Sequence, residues 1–594
     1  MENSVTDIAT LEDWFIEYED ATLTARTEGE RARDYYDGNQ LTAEEIATLE
    51  KRGQPPVRYN RIRRKIEWLK GLEVKQRTDP KAFPRTPKHV DGAESATDAI
   101  RYVCDDQDWD EIRSDCYDNF LVEGYMGSEI VHEQDANGEV QVRVNHYPWD
   151  RLFYDPHSRK SDFSDARYKG VVLWMDEADF KVRYPKADVS EMYKDATTSE
   201  THDDKPSRWA DPKRKRIRVL LMWYRKGEVW HWCEFVQGQK LDGGESPYKG
   251  AKGESVCPLI MESAFIGRNN ERYGIVRDMF DPQDELNKRR SKSLHGINSR
   301  QTIGIKGAVD SVLEMKRELA KFDGHIELNA EAFEDAARVG MKPFDIVPTN
   351  DQIAAQMKMA DDAKDEIDLL GANSALAGET GESASGRAVL ARQQGGMIEI
   401  ASLSDKLHRF TREVYRQIWL RIRQFWTEER WVRVTDEENN ARFVGLNRPI
   451  TVEERLSQME PQQAQMMAMQ MGLYPGDPRL QAVVGIDNSV EELDVDILIE
   501  EVPDRVTLEG EIFEALMKYG PVLPPQVLIE ADPVLPSKKK EKLLEMLQQA
   551  QQQPDPAQQL ENADTEAGIG VKQAQAMKLQ AEAQTAGMPL RRLA

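Results

Sequence analysis

The chain has 594 residues, of which 39% are hydrophobic and 12 are tryptophan, so it has enough apolar side chains for several packed cores. Its formal net charge of -26 argues against a protein that wraps DNA tightly, because lysine and arginine provide that affinity by neutralising phosphates, but not against a protein that DNA passes by. No run of about 20 apolar residues and no apolar segment near the acidic N-terminus is present, so neither a membrane span nor a signal peptide is predicted.

The N-terminal region of the chain is predicted to be helical. Apolar residues recur at helical spacing within residues 7–50, and Thr42 followed by Glu45 is typical of a capped helix start. Residues 60–77 form a basic amphipathic helix, whose charged face is expected to meet solvent or another subunit, with phosphate contact as the alternative. The proline-rich residues 79–92 predict an extended connection to the next helix.

Three β-hairpins are predicted from alternating apolar residues on either side of a turn. The first turns at Asn137-Gly138 and the second at Lys226-Gly227. The third lies within residues 431–446, after the helical centre of the chain. Because β-rich stretches flank that centre, we predict one β-rich domain completed by chain that leaves and returns.

The centre of the chain combines a basic helix, a small insert and an acidic helix. A helix from about residue 276 to 299 carries clustered basic side chains, namely Lys288, Arg289, Arg290 and Lys292. Residues 300–346 form a small α+β insert, and residues 352–370 form the second helix. The polar face of this second helix carries Asp361, Asp362, Asp365 and Asp368. A solvated acidic face is the expected role of these carboxylates, and a divalent-cation site is the alternative.

A glycine-rich loop and a very long helix follow. Residues 371–386 are small and polar, so they cannot bury a core and are expected to form a mobile loop. Residues 385–428 predict one amphipathic helix, which at 1.5 Å per residue would span roughly 65 Å. The apolar stripe of this helix comprises Leu403, Leu407, Phe410, Val414, Ile418, Ile422 and Phe425. A helix of this length must cross a large object or pack against copies of itself, and packing of the stripe on a neighbouring copy is expected.

Sequence motifs for catalysis are absent. The chain has no GxxxxGK[ST], HExxH or GxSxG pattern, so we expect no enzymatic activity, no cofactor and no bound metal. None of the four cysteines forms a CxxC pair, and free buried thiols in a reducing cytoplasm are predicted for Cys104, Cys116, Cys233 and Cys257.

Two stretches carry a resemblance to a known family. The first, residues 31–87, contains ARDYYDGNQLTAEEI, RGQPPVRYNRIRRKIEWLKGLE and QRTDPKAFPR, and the second, residues 383–396, reads SASGRAVLARQQGG. In this order and spacing, with the acidic helix, loop and long helix between them, they resemble the portal proteins, or head-to-tail connectors, of tailed bacteriophages. The likeness covers about residues 30–450 and is greatest to the large-portal type of short-tailed phages related to the lambdoid group.

The resemblance implies an α+β, mainly α-helical portal fold whose regions follow one another along the chain. These regions are the N-terminal segment of a β-rich wing (residues 1–270), a first stem helix (271–299), an α/β clip (300–346), a second stem helix (347–371), a tunnel loop (372–385), a long central helix (386–430), the C-terminal segment of the wing (431–504), and a helical crown with a low-complexity tail (505–594). Candidate residues of the DNA-channel loop are Gly378, Glu379, Gly381, Glu382, Ser383, Ser385 and Arg387.

The resemblance also implies partners and a location. Identical subunits, usually twelve, would form a ring at one capsid vertex of the virion after assembly in the host cytoplasm. Double-stranded DNA would pass without sequence preference, driven by the terminase large subunit, and the ring would also meet major capsid and scaffolding proteins and a tail adaptor. Two alternatives stay open, another virion component such as a head-tail adaptor, and a metal-dependent nuclease that uses the carboxylates of residues 361–368.

Overall fold

The computed structural model describes most residues between 7 and 499, together with Lys578. Within that range, the longest stretches outside the description are residues 191–208, 370–385 and 458–465. The chain divides into two compact units, one of Met1–Asp436 with Asn440–Glu500 and one of Glu437–Asn439 with Glu501–Ala594. The elements below belong to the first unit. The crown and tail predicted at 505–594 lie outside the described residues, apart from Lys578.

Helices contribute more of the described residues than strands do, and the predicted α+β class is confirmed. The helices are α1 (Ile8–Ala21), α2 (Leu23–Asp37), α3 (Ala43–Lys51), α4 (Ile62–Lys75), α5 (Val90–Asp106), α6 (Trp109–Val122), α7 (Glu177–Arg183), α8 (Phe280–Asn298), α9 (Val312–Leu319), α10 (Ala330–Val339), α11 (Asn350–Leu369), α12 (Gly386–Phe425) and α13 (Val452–Ser457). Helix α3 begins with the predicted capping box, in which Thr42 and Glu45 each accept a backbone N–H of the other.

The strands form one large sheet, one three-stranded sheet and several two-stranded pairs, all antiparallel. They are β1 (Pro80–Pro84), β2 (Tyr125–Gln134), β3 (Val140–His146), β4 (Leu152–Tyr154), β5 (Tyr168–Asp176), β6 (Ala210–Asp211), β7 (Arg216–Lys226), β8 (Val229–Val236), β9 (Gln239–Glu245), β10 (Leu259–Ser263), β11 (Phe265–Ile266), β12 (Arg272–Tyr273), β13 (Gln301–Gly304), β14 (Phe344–Val347), β15 (Arg430–Thr435), β16 (Ala441–Leu446), β17 (Arg448–Thr451), β18 (Val483–Asp487) and β19 (Val495–Ile499). The large sheet has the order β4-β5-β7-β8-β9 with β6 beside β7, and the three-stranded sheet has the order β10-β2-β3.

All three predicted hairpins form, as β2–β3, β7–β8 and β15–β16. The first two turns contain glycines in the left-handed region, Gly138 at φ 85° and Gly227 at φ 64°. A residue with a Cβ rarely adopts these angles, so glycine at the turn sets where each hairpin reverses.

Helix α1 and the large sheet enclose an aromatic core. Phe15 meets Phe153 edge-on with 5.1 Å between ring centroids, and Trp14 stacks on Tyr168 at 5.3 Å. The Tyr18 hydroxyl donates to the carbonyl of Leu152 at 3.0 Å. Helix α1 is therefore held on the sheet by the burial of its aromatic side chains and by a hydrogen bond near its C-terminus.

The long helix is confirmed as a single element of 40 residues, α12. The expectation that its stripe packs on neighbouring copies is wrong, because the stripe is covered within one chain. Its members from Leu403 to Ile422 are at most 4% exposed and pack against α5, α6 and the three-stranded sheet. Phe425 is partly buried and stacks on His132 with 3.9 Å between ring centroids. The buried side chains described on α12, from Ile400 onward, therefore pack in the core of the first unit.

The chain that follows α12 returns to the N-terminal part of the first unit, where its described strands meet α5 and β1 and not the large sheet. Strand β19 pairs with β1, so Ile497 lies opposite Ala82. The hairpin β15–β16 packs on α5, and its residues Val432 and Leu446 are buried in the same core as Ile100. Residues 79–92, predicted to be an extended connection, thus contain a paired strand and the start of α5.

All four cysteines are free, as predicted, and three of them are buried, whereas Cys104 is half-buried. Burial raises the pKa of the Cys233 and Cys257 thiols to about 11. Thiols with such a pKa stay protonated and behave as small apolar side chains. Among the residues that the structure describes, no helix combines the length and the apolar character needed to cross a bilayer.

Candidate functional site

Helices α8 and α11 form a pair at the point where the small insert joins the rest of the chain. They pack side by side, and a Cβ added at Gly296 would lie 3.0 Å from Cγ1 of Ile353. The Arg289 guanidinium donates to the side chain of Gln356 at 3.1 Å. Between them in sequence, β13 pairs with β14, with Gln301 opposite Val347. The first and last strands of the insert are therefore neighbours, and the insert is an α/β unit attached to the ends of the helix pair.

A series of polar side chains along α8, which we call the polar ladder, holds the extended residues 53–61. Its members recur every fourth residue on one helix face and are Gln283, Asn287, Ser291 and His295. Gln283 accepts from the Arg61 N–H at 3.1 Å and donates to the Tyr59 carbonyl at 2.9 Å. Asn287 accepts from the Tyr59 N–H at 2.9 Å.

The C-terminal half of the polar ladder continues the same pattern. The Ser291 hydroxyl donates to the Pro55 carbonyl at 2.6 Å, and the His295 ring lies 2.9 Å from the Gly53 carbonyl. A segment that belongs to no helix or sheet must find partners for its backbone groups elsewhere, and here the side chains of α8 supply them. The stretch RGQPPVRYN, one of the motifs of the family resemblance, is the segment that the ladder binds.

Cations from α4 and the residue before it cap the C-terminal end of the acidic helix α11. Lys65 is 8% exposed, and its ammonium donates to the carbonyls of Ile367 and Asp368, each at 2.8 Å. The Arg61 guanidinium donates to both carboxylate oxygens of Asp368, at 2.9 and 2.7 Å. Positive charge at the C-terminus of a helix is favourable because the last carbonyls lack intrahelical partners.

The predicted acidic face is only partly present on the surface of α11. Asp361, Asp362 and Asp365 are exposed. Asp368 is half-buried and its charge is balanced by Arg61, so it belongs to the cap of the helix. Within the described residues, no three His, Cys, Asp or Glu side chains are placed to hold a metal ion.

The basic residues predicted as a cluster on α8 differ in their contacts. Lys288 and Lys292 are exposed, and the Arg290 guanidinium lies 4.8 Å above the ring of Tyr59. Arg289 forms an ion pair with Glu285 at 3.0 Å besides its bond to α11. The exposed lysines can therefore face solvent or a ligand, whereas Arg289 holds the helix pair together.

The candidate channel loop lies outside the described residues. This applies to Gly378, Glu379, Gly381, Glu382, Ser383 and Ser385. Arg387 is the second residue of α12, and its side chain is likewise outside the description. By sequence, the loop joins the capped end of α11 to the start of α12.

Sequence reasoning missed the polar ladder and the lysine cap. The ladder had a signal in the spacing of Gln283, Asn287, Ser291 and His295, which share a face on any helix. Lys65 had none, because a lysine among other basic residues of α4 does not reveal which helix end it reaches.

Comparison with known proteins identifies the family of the chain. The family described as Phage P22-like portal protein matches residues 12–586. The chain is also similar to the portal protein of Helicobacter pylori bacteriophage KHP30, with 19% identity over 447 residues that make up 74% of this chain and 70% of that protein. Since the match extends over nearly the whole sequence, the chain belongs to the phage P22-like portal protein family and is a portal protein, the head-to-tail connector of a bacteriophage virion.

Proposed function

We propose that twelve copies of this chain form a closed ring at one capsid vertex, through which the terminase large subunit packages double-stranded DNA and from which the DNA is later ejected. The observation that carries the proposal is the family match over residues 12–586. Membership of this family implies a capsid-associated oligomeric ring. Major capsid and scaffolding proteins would meet the ring during assembly in the host cytoplasm, and a tail adaptor would attach afterwards.

The paired helices α8 and α11 are proposed to be the stem of this ring, with the insert of residues 300–346 as the clip. The wing would comprise residues 1–270 and 431–504, and the crown residues 505–594. Support for the stem comes from its surface charge, since Asp361, Asp362 and Asp365 are exposed on one helix and Lys288 and Lys292 on the other. Carboxylates repel phosphates, and isolated lysines bind them weakly and in a salt-dependent manner. Such a surface would let DNA of any sequence slide past.

The first expected result is that the purified protein forms rings that lack catalytic activity. Native mass spectrometry should find a twelve-subunit assembly, or a monomer that converts to one when concentrated. The family is structural, and we propose that the ring hydrolyses neither ATP nor DNA in the presence of magnesium. A monomer that persists at every concentration and salt would overturn the proposal, as would hydrolysis that is lost in the Asp361→Ala, Asp365→Ala double variant.

The second expected result concerns the loop between α11 and α12, which we propose lines the narrowest region of the channel. There, Glu379 and Glu382 would repel phosphate, and Arg387 would offset the repulsion with a single contact. Deleting residues 379–383 should leave ring assembly intact, because the helices on both sides hold the subunit. It should reduce the yield of full capsids or the retention of packaged DNA, as measured by electron microscopy and nuclease protection.

Deletion of residues 199–203, a charged segment of equal length that the sequence predicts to be a surface loop, is the matched control and should package normally. Full-length genome retained at the unaltered level by particles with the 379–383 deletion would show that the loop is not a channel element. Failure of that variant to form rings would show that the loop is structural.

A further inference from the structure

A cleft of about 670 Å³ opens between the outer face of α12, strand β10 and strand β19. Its walls include apolar side chains such as Trp230, Met261 and Trp419. Six cationic side chains and four carboxylates also line it, so the cleft is net positive on a chain whose net charge is -26. The cations are Arg85, Lys169, Arg409, Arg412, Arg416 and Arg423, and the carboxylates are Asp162, Glu262, Glu413 and Asp496.

Three of the four carboxylates are already engaged by arginines. Arg409 donates to Glu262 at 3.0 Å, and Arg85 pairs with Asp496. Glu413 lies 3.8 Å from Arg416. The fourth carboxylate, Asp162, accepts the backbone N–H of Ser164 at 3.1 Å. None of these four carboxylates pairs with Lys169 among the residues that the structure describes.

Lys169 is a cation of the cleft that has no carboxylate partner among the described residues. It lies on β5, is 8% exposed and lines the cleft beside Trp230, with its ammonium 5.8 Å from the centre of that ring. Among the described residues it has neither a hydrogen-bond acceptor nor a carboxylate partner. The Lys169 ammonium has no carboxylate beside it, so a carboxylate that enters the cleft can form a charge-assisted hydrogen bond with it.

We infer that this cleft binds an acidic peptide segment of a second copy of the chain, with one carboxylate paired to Lys169 and apolar neighbours packed on the walls. A peptide fits better than a nucleic acid because the cleft is walled by indole rings and aliphatic groups. A second copy is the natural source, because the chain carries 106 acidic residues and its neighbours in a ring present the same surface.

The inference rests on the proposed ring, and zero-length crosslinking tests the two separately. Protein labelled with nitrogen-15 is mixed with unlabelled protein before assembly, native mass spectrometry records ring formation, and a carbodiimide then joins lysines to carboxylates in direct contact. Lys169 should be found joined to an aspartate or glutamate peptide, with the two isotopes mixed across the link. If no ring forms, the proposed function fails as well. If rings form but Lys169 is joined to nothing, or only to its own copy, this inference alone is wrong.

The variant Lys169→Met gives a second measurement, since methionine keeps the apolar portion of the side chain without the charge. We expect the ring dissociation constant to rise at least about tenfold, and crosslinks at this position to disappear. Lys252→Met, which removes an exposed lysine outside the cleft, should leave the constant unchanged. Equal ring stability in the two variants would overturn the inference.

Discussion

Replacing Gln283 by leucine is expected to weaken the attachment of residues 53–61 to α8 by about 3 kcal/mol, because it leaves several buried groups without partners. Gln283 is fully buried and serves both the Arg61 N–H and the Tyr59 carbonyl, and it also donates to Asn287 at 3.2 Å. Leucine fills a similar volume but can neither donate nor accept. Amide exchange at residues 59–61, followed by mass spectrometry, should accelerate about a hundredfold if the segment opens locally.

Lys288→Leu is the matched control on the same helix, because Lys288 is exposed and outside the polar ladder. A surface substitution of this kind usually changes stability by about 0.5 kcal/mol or less. Asn287→Leu should resemble Gln283→Leu, and the double variant should cost less than the two single variants together because they remove a shared network. Unchanged exchange at residues 59–61 in Gln283→Leu would contradict the structural role of the ladder.

Replacing Glu129 by glutamine is expected to remove a pH-dependent loss of stability. Glu129 is buried in β2 and accepts from Trp223 Nε1 at 2.9 Å and from the Tyr147 hydroxyl at 3.0 Å. Burial, with a smaller contribution from Glu234, raises the pKa of Glu129 to about 7 from the usual 4.5. The hydrogen bonds from Trp223 and Tyr147 lower the pKa, but both donors are uncharged and offset only part of the cost of burying the charge.

The sign of the effect follows from the direction of the pKa shift. The folded protein binds a proton at Glu129 more tightly than the unfolded chain does, so its contribution to stability is complete below pH 4.5 and is lost as the pH rises through 7. At about 1.4 kcal/mol per pKa unit, the loss by pH 8 is about 3 kcal/mol. The unaltered protein should therefore melt at a lower temperature at pH 8 than at pH 5, and Glu129→Gln should reduce the difference.

Glu133→Gln, an exposed position four residues along the same strand, is the control and should melt as the unaltered protein does at both pH values. Glutamine keeps the acceptor for Trp223, and its amide can donate to the Tyr147 oxygen, so the fold should be retained. A melting temperature of Glu129→Gln that falls between pH 5 and pH 8 as steeply as that of the unaltered protein would mean that another group causes the pH dependence.

The sequence by itself determined the features that depend on neighbouring residues. The capped start at Thr42, the hairpin turns at Gly138 and Gly227 and the unbroken length of α12 follow from backbone angles and helical periodicity within a few turns. The motifs at residues 31–87 and 383–396 also sufficed to predict the portal family.

Tertiary structure decided the rest, because each remaining feature depends on chain brought from far along the sequence. Helical periodicity showed that α12 has an apolar stripe, but only the folded chain shows that its own α5, α6 and sheet cover the stripe. Likewise, the side chains of the polar ladder bind residues 53–61, which lie more than 200 positions away in the sequence. Asp368 is not part of the exposed acidic face because it is paired with Arg61. A polar side chain on a helix can meet solvent, a ligand or a buried backbone group. Its contribution to the free energy of folding differs among these three environments, because it forms different hydrogen bonds in each. Its own sequence neighbours do not specify which of the three it meets.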